Sequence, residues 1–264
     1  MSSAAAFARA TALPEFVDPY LDPNTGILRN LVGAVSSDDL AAKEAELTAF
    51  RAIELFERPV KPTGDLRQLQ SIHQRVLQDV YEWAGELRTV DMRKGSDPAA
   101  EFFMPVSRLQ SGAGFVFQEL ADDNFLRGLD QDRFVSRLAH HYDQVNYLHP
   151  FREGNGRTQR ILWTQVARDA GYELDWRGVT GKVNDQASRD AMEKQDLSGL
   201  CAMFDTIATP VASGRATDVQ AERVRLFANL DMPLRGSQLT TPPIQTSSKN
   251  RSMMNRGRDA GIGR

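Results

Sequence analysis

Between His149 and Arg160 the chain reads His-Pro-Phe-Arg-Glu-Gly-Asn-Gly-Arg-Thr-Gln-Arg, and most of these residue types are ones that phosphate chemistry uses. Gly154 and Gly156 flank Asn155. That trio permits backbone conformations that aim successive N–H groups into one concavity, an anion nest. A helix opening at Arg157 would add the positive end of its dipole at the same point. Arg157 and Arg160 lie three apart on one helix face, so both guanidiniums can reach one polyanion. Glu153 puts a carboxylate into an anion site, which is repulsive unless a cation intervenes. A hard divalent ion bridging Glu153 to phosphate oxygens removes the conflict, and Mg²⁺ is the usual choice. His149, with an ordinary pKa of about 6.5, can be neutral and accept a proton. An imidazole beside bound metal–phosphate suggests activation of a hydroxyl for attack on phosphorus. Singly, each feature has an ordinary reading: Asn-Gly marks a turn, arginines line surfaces, and a histidine before proline sits in a loop. Within twelve residues they form one phosphate cradle.

The flanking segments must hold that cradle in place. Pro150 disfavours helical geometry at His149, so a helix over 130–148, striped by Phe134, Leu138, Tyr142 and Val145, ends there. The following helix carries Ile161, Leu162, Val166 and Ala170 and stops at Gly171. Upstream, Ser36-Ser37-Asp38-Asp39 reads as a helix start, and Leu40, Leu47, Phe50 and Phe56 suit a helix running to Pro59. A second helix starts near Asp65, with Leu66, Leu69, Ile72, Val76, Leu77 and Val80 in one apolar stripe. Residues 84–105 break the rhythm. Leu87–Val90 and Glu101–Met104, joined by Lys94-Gly95-Ser96-Asp97, make a small β-hairpin. Helical periodicity returns after Ser107, and two or three helices follow between about 182 and 230. No repeat and no strand–helix alternation is present, so the fold class is all-α with one hairpin.

The string at 149–160 resembles the signature of Fic proteins, H-x-F-x-[DE]-G-N-G-R-x-x-R, and matches it at every specified position. Tyr81–Arg88 resembles the segment leading into that family's β-hairpin flap. Asp196–Leu200 resembles the helix start after its core. The resemblance spans roughly 15–210. It implies an enzyme that moves AMP from ATP to a hydroxyl side chain of another protein, releasing pyrophosphate. It assigns His149 as the base, Phe151 as the loop's anchor in the core, and Glu153 as the holder of Mg²⁺. Gly154, Asn155 and Gly156 would cradle phosphates with help from Arg157, and Arg160 would grip the γ-phosphate. The flap at about 89–104 would dock an extended target segment by strand addition, through Val90, Arg93, Lys94, Gly95, Phe103 and Met104. Gly156 favours AMP over phosphate transfer, since a phosphate-transferring relative has Lys there. UMP and phosphocholine transfer on the same site remain alternatives.

Many Fic proteins carry an inhibitory helix, [ST]-x-x-x-E-[GN], whose Glu pairs with the residue equivalent to Arg160. Thr11 and Glu15 fit its spacing, but Phe16 follows where Gly or Asn belongs. The resemblance is therefore to toxin-type members whose glutamate comes from a small antitoxin. Its implied target is a type II topoisomerase ATPase subunit. A type IV-secreted effector acting on host GTPases is the alternative. The implied organisation is an N-terminal extension (1–35), the Fic domain (36–210), a C-terminal helix (211–232) and a tail (233–264).

Composition bounds the rest. The chain has 264 residues, 41% hydrophobic and 25% charged, enough for one buried core. Its net charge of -3 hides an asymmetry: -8 over the first 232 residues and +5 over the tail. That tail, with Pro242-Pro243 and few large apolar residues, reads as disordered and basic. A near-neutral total argues against nucleic acid as a direct partner. The lone Cys201 excludes a disulfide framework and a cysteine-built zinc cluster, and it reads as a core residue. His140-His141, with no acid at ligand spacing, argues against zinc there. No apolar run approaches a membrane span and no signal peptide is legible, so the expectation is a soluble protein of a reducing cytoplasm.

Overall fold

The computed structural model describes residues 17–93, 101–211 and 240–241. Seven α-helices carry the described part: α1 Ser37–Glu57, α2 Leu66–Leu77, α3 Leu109–Asp122, α4 Gln131–Leu148, α5 Asn155–Asp169, α6 Gly181–Lys194 and α7 Ser198–Ile207. Their starts follow local chemistry. The Ser36 hydroxyl accepts from Asp39 N, the Asp65 carboxylate from Arg67 N and Gln68 N, Asp130 from Arg133 N, and Thr180 from Val183 N. Each satisfies a backbone donor that the first helical turn would otherwise leave unpaired.

α4 is the axis of the fold. Its buried face includes Phe134, Leu138, Tyr142, Val145 and Leu148, and α3, α5, α6 and α7 pack around it. α2 lies against both α1 and α5, burying Leu69, Ile72, Val76 and Leu77 in the same core. Phe151, at the α4–α5 corner, belongs to the same core, as do Trp163 and Phe204. Burying each such side chain stabilises the fold by about 1.5–3 kcal/mol, which fixes the corner that holds residues 149–155.

Among the described residues four short strands add to the helices: β1 Asp91–Met92, β2 Tyr172–Leu174, β3 Ala208–Pro210 and β4 Thr240–Thr241. β2 pairs antiparallel with β3, tying the end of α5 to the end of α7. Three-residue strands are too short for an alternation signal, so the sequence held no sign of this pair. The hairpin differs from expectation in register. Leu87–Val90 is not strand; pairing begins at Asp91, continues as an Arg93↔Phe102 bridge, and is joined by a bond from Phe103 N to Met92 O (3.0 Å). The other edge of β1 is taken by β4, with Asp91 opposite Thr241 and Met92 opposite Thr240. That pairing places two residues of the tail, which composition reads as disordered, in a strand, because a sheet edge accepts any backbone. The flap turn with Lys94 and Gly95, the Thr11–Phe16 stretch and the remainder of 212–264 lie outside the described residues.

Candidate active site

The site is a corner between two helices. α4 ends at His149, whose φ of 42° lies in the left-handed region, and its N–H donates to Val145 O (3.1 Å). The helix ends before Pro150, as the proline predicts, and the chain turns sharply through a left-handed cap at His149. Such a conformation costs a non-glycine residue about 1–2 kcal/mol, so neighbours must hold it. Arg88 does so. Its Nε donates to His149 O (2.8 Å), its backbone N to Pro150 O (2.8 Å), its Nη1 to Val90 O (2.7 Å) and its Nη2 to Met104 O. Arg88 is buried, and burial pulls its pKa down to about 10. This one side chain knits the flap's base to the histidine. The imidazole stacks on Phe103 with ring centroids 3.7 Å apart and planes 6° off parallel. Stacking and the backbone clamp together fix where a proton can be received.

Phe151 is buried and stacks on His73 (3.8 Å between centroids), as an anchor of the loop. His73, on α2, accepts from Gly85 N at Nδ1 (2.7 Å), so its Nε2–H is left to donate to Glu153 O (2.9 Å). Burial lowers its pKa to about 4, which keeps the ring neutral in that role. Gly154 follows with φ of 78°, and a Cβ there would run into Leu77 Cδ1 and press on His73. Only glycine fits. Arg152 points away from the cradle and pairs with buried Asp18 (2.9 Å), tying the loop to the start of the described chain.

α5 begins at Asn155, two residues earlier than the sequence suggested, and its cap, Gly154, offers no side chain. The first backbone N–H groups of a helix lack intrahelical acceptors, so an uncapped start presents donors and positive dipole to an anion. Asn155 serves differently from a direct phosphate ligand. Its Oδ1 accepts from Phe151 N (2.9 Å) and its Nδ2 donates to Phe151 O (2.7 Å), so the amide staples the loop shut. What Asn155 and Gly156 can offer a phosphate is backbone. The two arginines part company. Arg157 Nη1 and Nη2 reach Thr48 and Glu44 on α1, whereas Arg160 Nε and Nη2 are buried with no hydrogen bond. Burial lowers the Arg160 pKa, and such orphaned cationic donors are costly unless an anion comes to them.

Glu153 lies at the mouth of the cradle. Its Oε1 accepts from Gly154 N (2.9 Å), and burial raises its pKa against the opposing pull of that N–H and of Arg152. A desolvated carboxylate beside an anion seat is chemically suited to a hard divalent cation shared with phosphate oxygens, so the donor set fits Mg²⁺.

At the flap, Val90, Phe103 and Met104 are buried. They shape the site from within, and their backbone is engaged inside the chain: Val90 O and Met104 O accept from Arg88, Phe103 N donates to Met92 O and Met104 N to Tyr147 O. Arg93 stacks over Phe102 (4.3 Å) beyond them. Away from the corner, acids do stand beside the histidine pair, contrary to the sequence reading. Glu119 on α3 meets His140 Nε2 (2.8 Å), and Asp123 meets His141 Nε2 (2.7 Å). Arg137 bridges both carboxylates, at 3.2 Å and 2.5 Å, and already supplies the cation. Cys201 is half-buried against the core, where burial raises its thiol pKa.

Residues 63–167 match the family model described as Fic/DOC. Over 192 residues the chain is 35% identical to the Escherichia coli (strain K12) protein named "Probable protein adenylyltransferase Fic", covering 73% of this chain and 92% of that one. The chain belongs to the Fic/DOC family. It is also 36% identical over 217 residues to protein adenylyltransferase VbhT of Bartonella schoenbuchensis, covering 81% of this chain but 44% of VbhT. Among solved structures, the N-terminal Fic domain of a VirB-translocated Bep effector of Bartonella quintana, with bound ADP, superimposes with a TM-score of 0.70 at 28% identity. That match covers 74% of this chain and 96% of that domain. The Fic signature at 149–160 falls within the matched segment and coincides with the corner just described.

Proposed function

We propose that this Fic protein transfers AMP from ATP to a hydroxyl side chain of a target protein. The observation that carries this reading is the pairing of two unlike ends across one short loop. A stacked, clamped imidazole stands at the end of α4, and an uncapped helix start with the orphaned Arg160 donors stands at the head of α5. His149 takes the proton from the target hydroxyl. The hydroxyl oxygen attacks the α-phosphorus, the bond to the pyrophosphate oxygen breaks, and pyrophosphate leaves. The α5 N–H groups and Arg160 bind and orient the phosphates, which is where this kind of transfer gains most of its rate. Glu153 would hold Mg²⁺, which when bound neutralises phosphate charge.

The toxin–antitoxin reading has a specific support in Arg160: a glutamate from a small antitoxin would satisfy donors left unmatched among the described residues. The target we propose on that reading is a type II topoisomerase ATPase subunit, reached in the cytoplasm. The secreted-effector reading is favoured by the likeness to VirB-translocated domains. No helix among the described residues is long and apolar enough to cross a membrane.

The test is to incubate the purified chain, Mg²⁺ and α-labelled ATP with bacterial or host lysate, then identify labelled bands and weigh the adduct. An AMP adduct in one lysate is the expected result. A UMP, phosphate or phosphocholine adduct overturns the transfer assigned, and the labelled lysate selects between toxin and effector. His149→Ala should lose about 10²–10⁴ of the labelling rate with its melting curve intact, and a variant that labels at full rate removes His149 as the base.

A further inference from the structure

Phosphate chemistry gives no reason for a carboxylate on the far side of Arg157, yet one is there. Glu44 comes from the middle of α1, lies 113 residues before Arg157 in sequence, and is 8% exposed. Its Oε1 meets Arg157 Nη2, and its Oε2 accepts from the Tyr81 hydroxyl. Thr48, one turn further along α1, accepts from Arg157 Nη1 (3.2 Å) and donates its own hydroxyl to Glu44 O (2.7 Å). Thr48 and Tyr81 are fully buried. Both terminal nitrogens of Arg157 are therefore committed to α1, while Arg157 Nη2 stays 3.8 Å from Glu153 Oε1. Arg160, one turn along the same helix, has Nε and Nη2 buried with no hydrogen bond among the described residues.

A buried ion pair is a poor device for stability alone, because desolvating both charges offsets their attraction and an apolar pair does as well or better. Its merit is direction: Arg157 Nη2 on the Glu44 carboxylate and Nη1 on the Thr48 hydroxyl fix the guanidinium through two defined bonds. Here the fixed object is the third residue of α5, next to the cradle's N–H groups and within reach of Glu153.

We propose that Glu44 is a positioning residue for the phosphate site. Together with Tyr81 and Thr48 it makes Arg157 a strut between α1 and the start of α5, leaving Arg160 as the arginine that grips phosphate. This rests on the AMP-transfer reading and deepens it. A site displaced by about 1 Å loses roughly 10²-fold in rate without losing its ligands, and that is the effect expected of Glu44→Ala.

The experiment is a cycle of Glu44→Ala, Arg157→Ala and the double variant, with Glu44→Gln alongside. Labelling from α-labelled ATP gives kcat and KM, with kcat taken per Mg-ATP site counted by calorimetry and folding checked by melting curves. Glu44→Ala should lower kcat about 100-fold with a much smaller change in KM. Glu44→Gln keeps one oxygen for Arg157, while its NH2 can donate to the Tyr81 hydroxyl, and should recover part of that loss. The double variant should be no worse than Arg157→Ala, since Glu44 acts through Arg157. A folded Glu44→Ala chain with wild-type kcat overturns the proposal, as do losses that multiply in the double variant. If Glu44→Ala does not fold, Glu44→Gln is judged against Arg157→Lys by the same criteria. A wild-type chain that labels nothing sinks the AMP-transfer reading instead. The strut is then read from the same cycle in Mg-ATP affinity, where additive losses would refute it.

Discussion

Replacing Arg160 by methionine should move stability and nucleotide binding in opposite directions. The side chain is 7% exposed, and its Nε and Nη2 are buried without a hydrogen bond. Each unmade buried donor costs about 1–3 kcal/mol, and methionine matches the length without the donors. The Asp185 carboxylate, whose charge favours the cationic form, offsets part of that cost. A net gain of roughly 1–3 kcal/mol is therefore expected, or a melting temperature higher by about 2–10 °C. The same change removes two charge-assisted bonds to phosphate, each worth about 1.5–3 kcal/mol, so Mg-ATP affinity should fall by roughly 10²–10⁴. Differential scanning calorimetry with and without saturating Mg-ATP reads both numbers. Nucleotide raises the wild-type midpoint by mass action and should leave the variant's nearly unmoved. A variant that melts below wild type and still responds to nucleotide would refute the argument, because Arg160 would then be a structural residue satisfied by the protein itself.

Two further outcomes follow from the loop. Gly154→Ala should cost about 2–4 kcal/mol, from left-handed strain plus the collision with Leu77, and the loss should appear as a lower urea midpoint. Acidification should weaken the fold through His73. Its folded pKa of about 4 lies below its unfolded value, so the unfolded chain binds more protons between about pH 6.5 and 4, and stability is lost across that window. The loss should total about 3 kcal/mol by pH 4, and urea melts of His73→Gln should show a flatter pH profile.

What could be seen in the chain itself was what is local. Gly154, Asn155, Gly156 and the arginine spacing announce an anion seat because the backbone conformations and helix face they need are set within a few residues. The helices around α4 are equally plain in their apolar stripes. Elsewhere the signal is absent for a physical reason. His73 looks like one more residue beside the stripe of α2. Only the fold turns its Nε2 onto Glu153 O. Arg88, Asp18 and Glu44 carry no spacing relation to the loop they brace, and Glu119 and Asp123 reach His140 and His141 from the neighbouring helix. The start of α5 was placed two residues late because its cap is a glycine, and a missing side chain leaves no capping pattern to read. Their spacing puts Arg157 and Arg160 on one helix face, from which both guanidiniums can reach one anion. α1, distant in sequence, makes them different.

The braces of the loop also determine when in folding it can exist. Asp18, Glu44, His73 and Arg88 meet it across 134, 113, 80 and 61 residues of chain. Closing loops of that length is entropically unfavourable until the helices between have docked, so these contacts set in late and are cooperative with the global fold. The helices themselves rest on contacts three and four residues apart and need no such closure. A chain with its helices formed and its core loosened would therefore look nearly native by circular dichroism, yet have no geometry at His149. Competence here belongs to the fully condensed state and to no partly folded species.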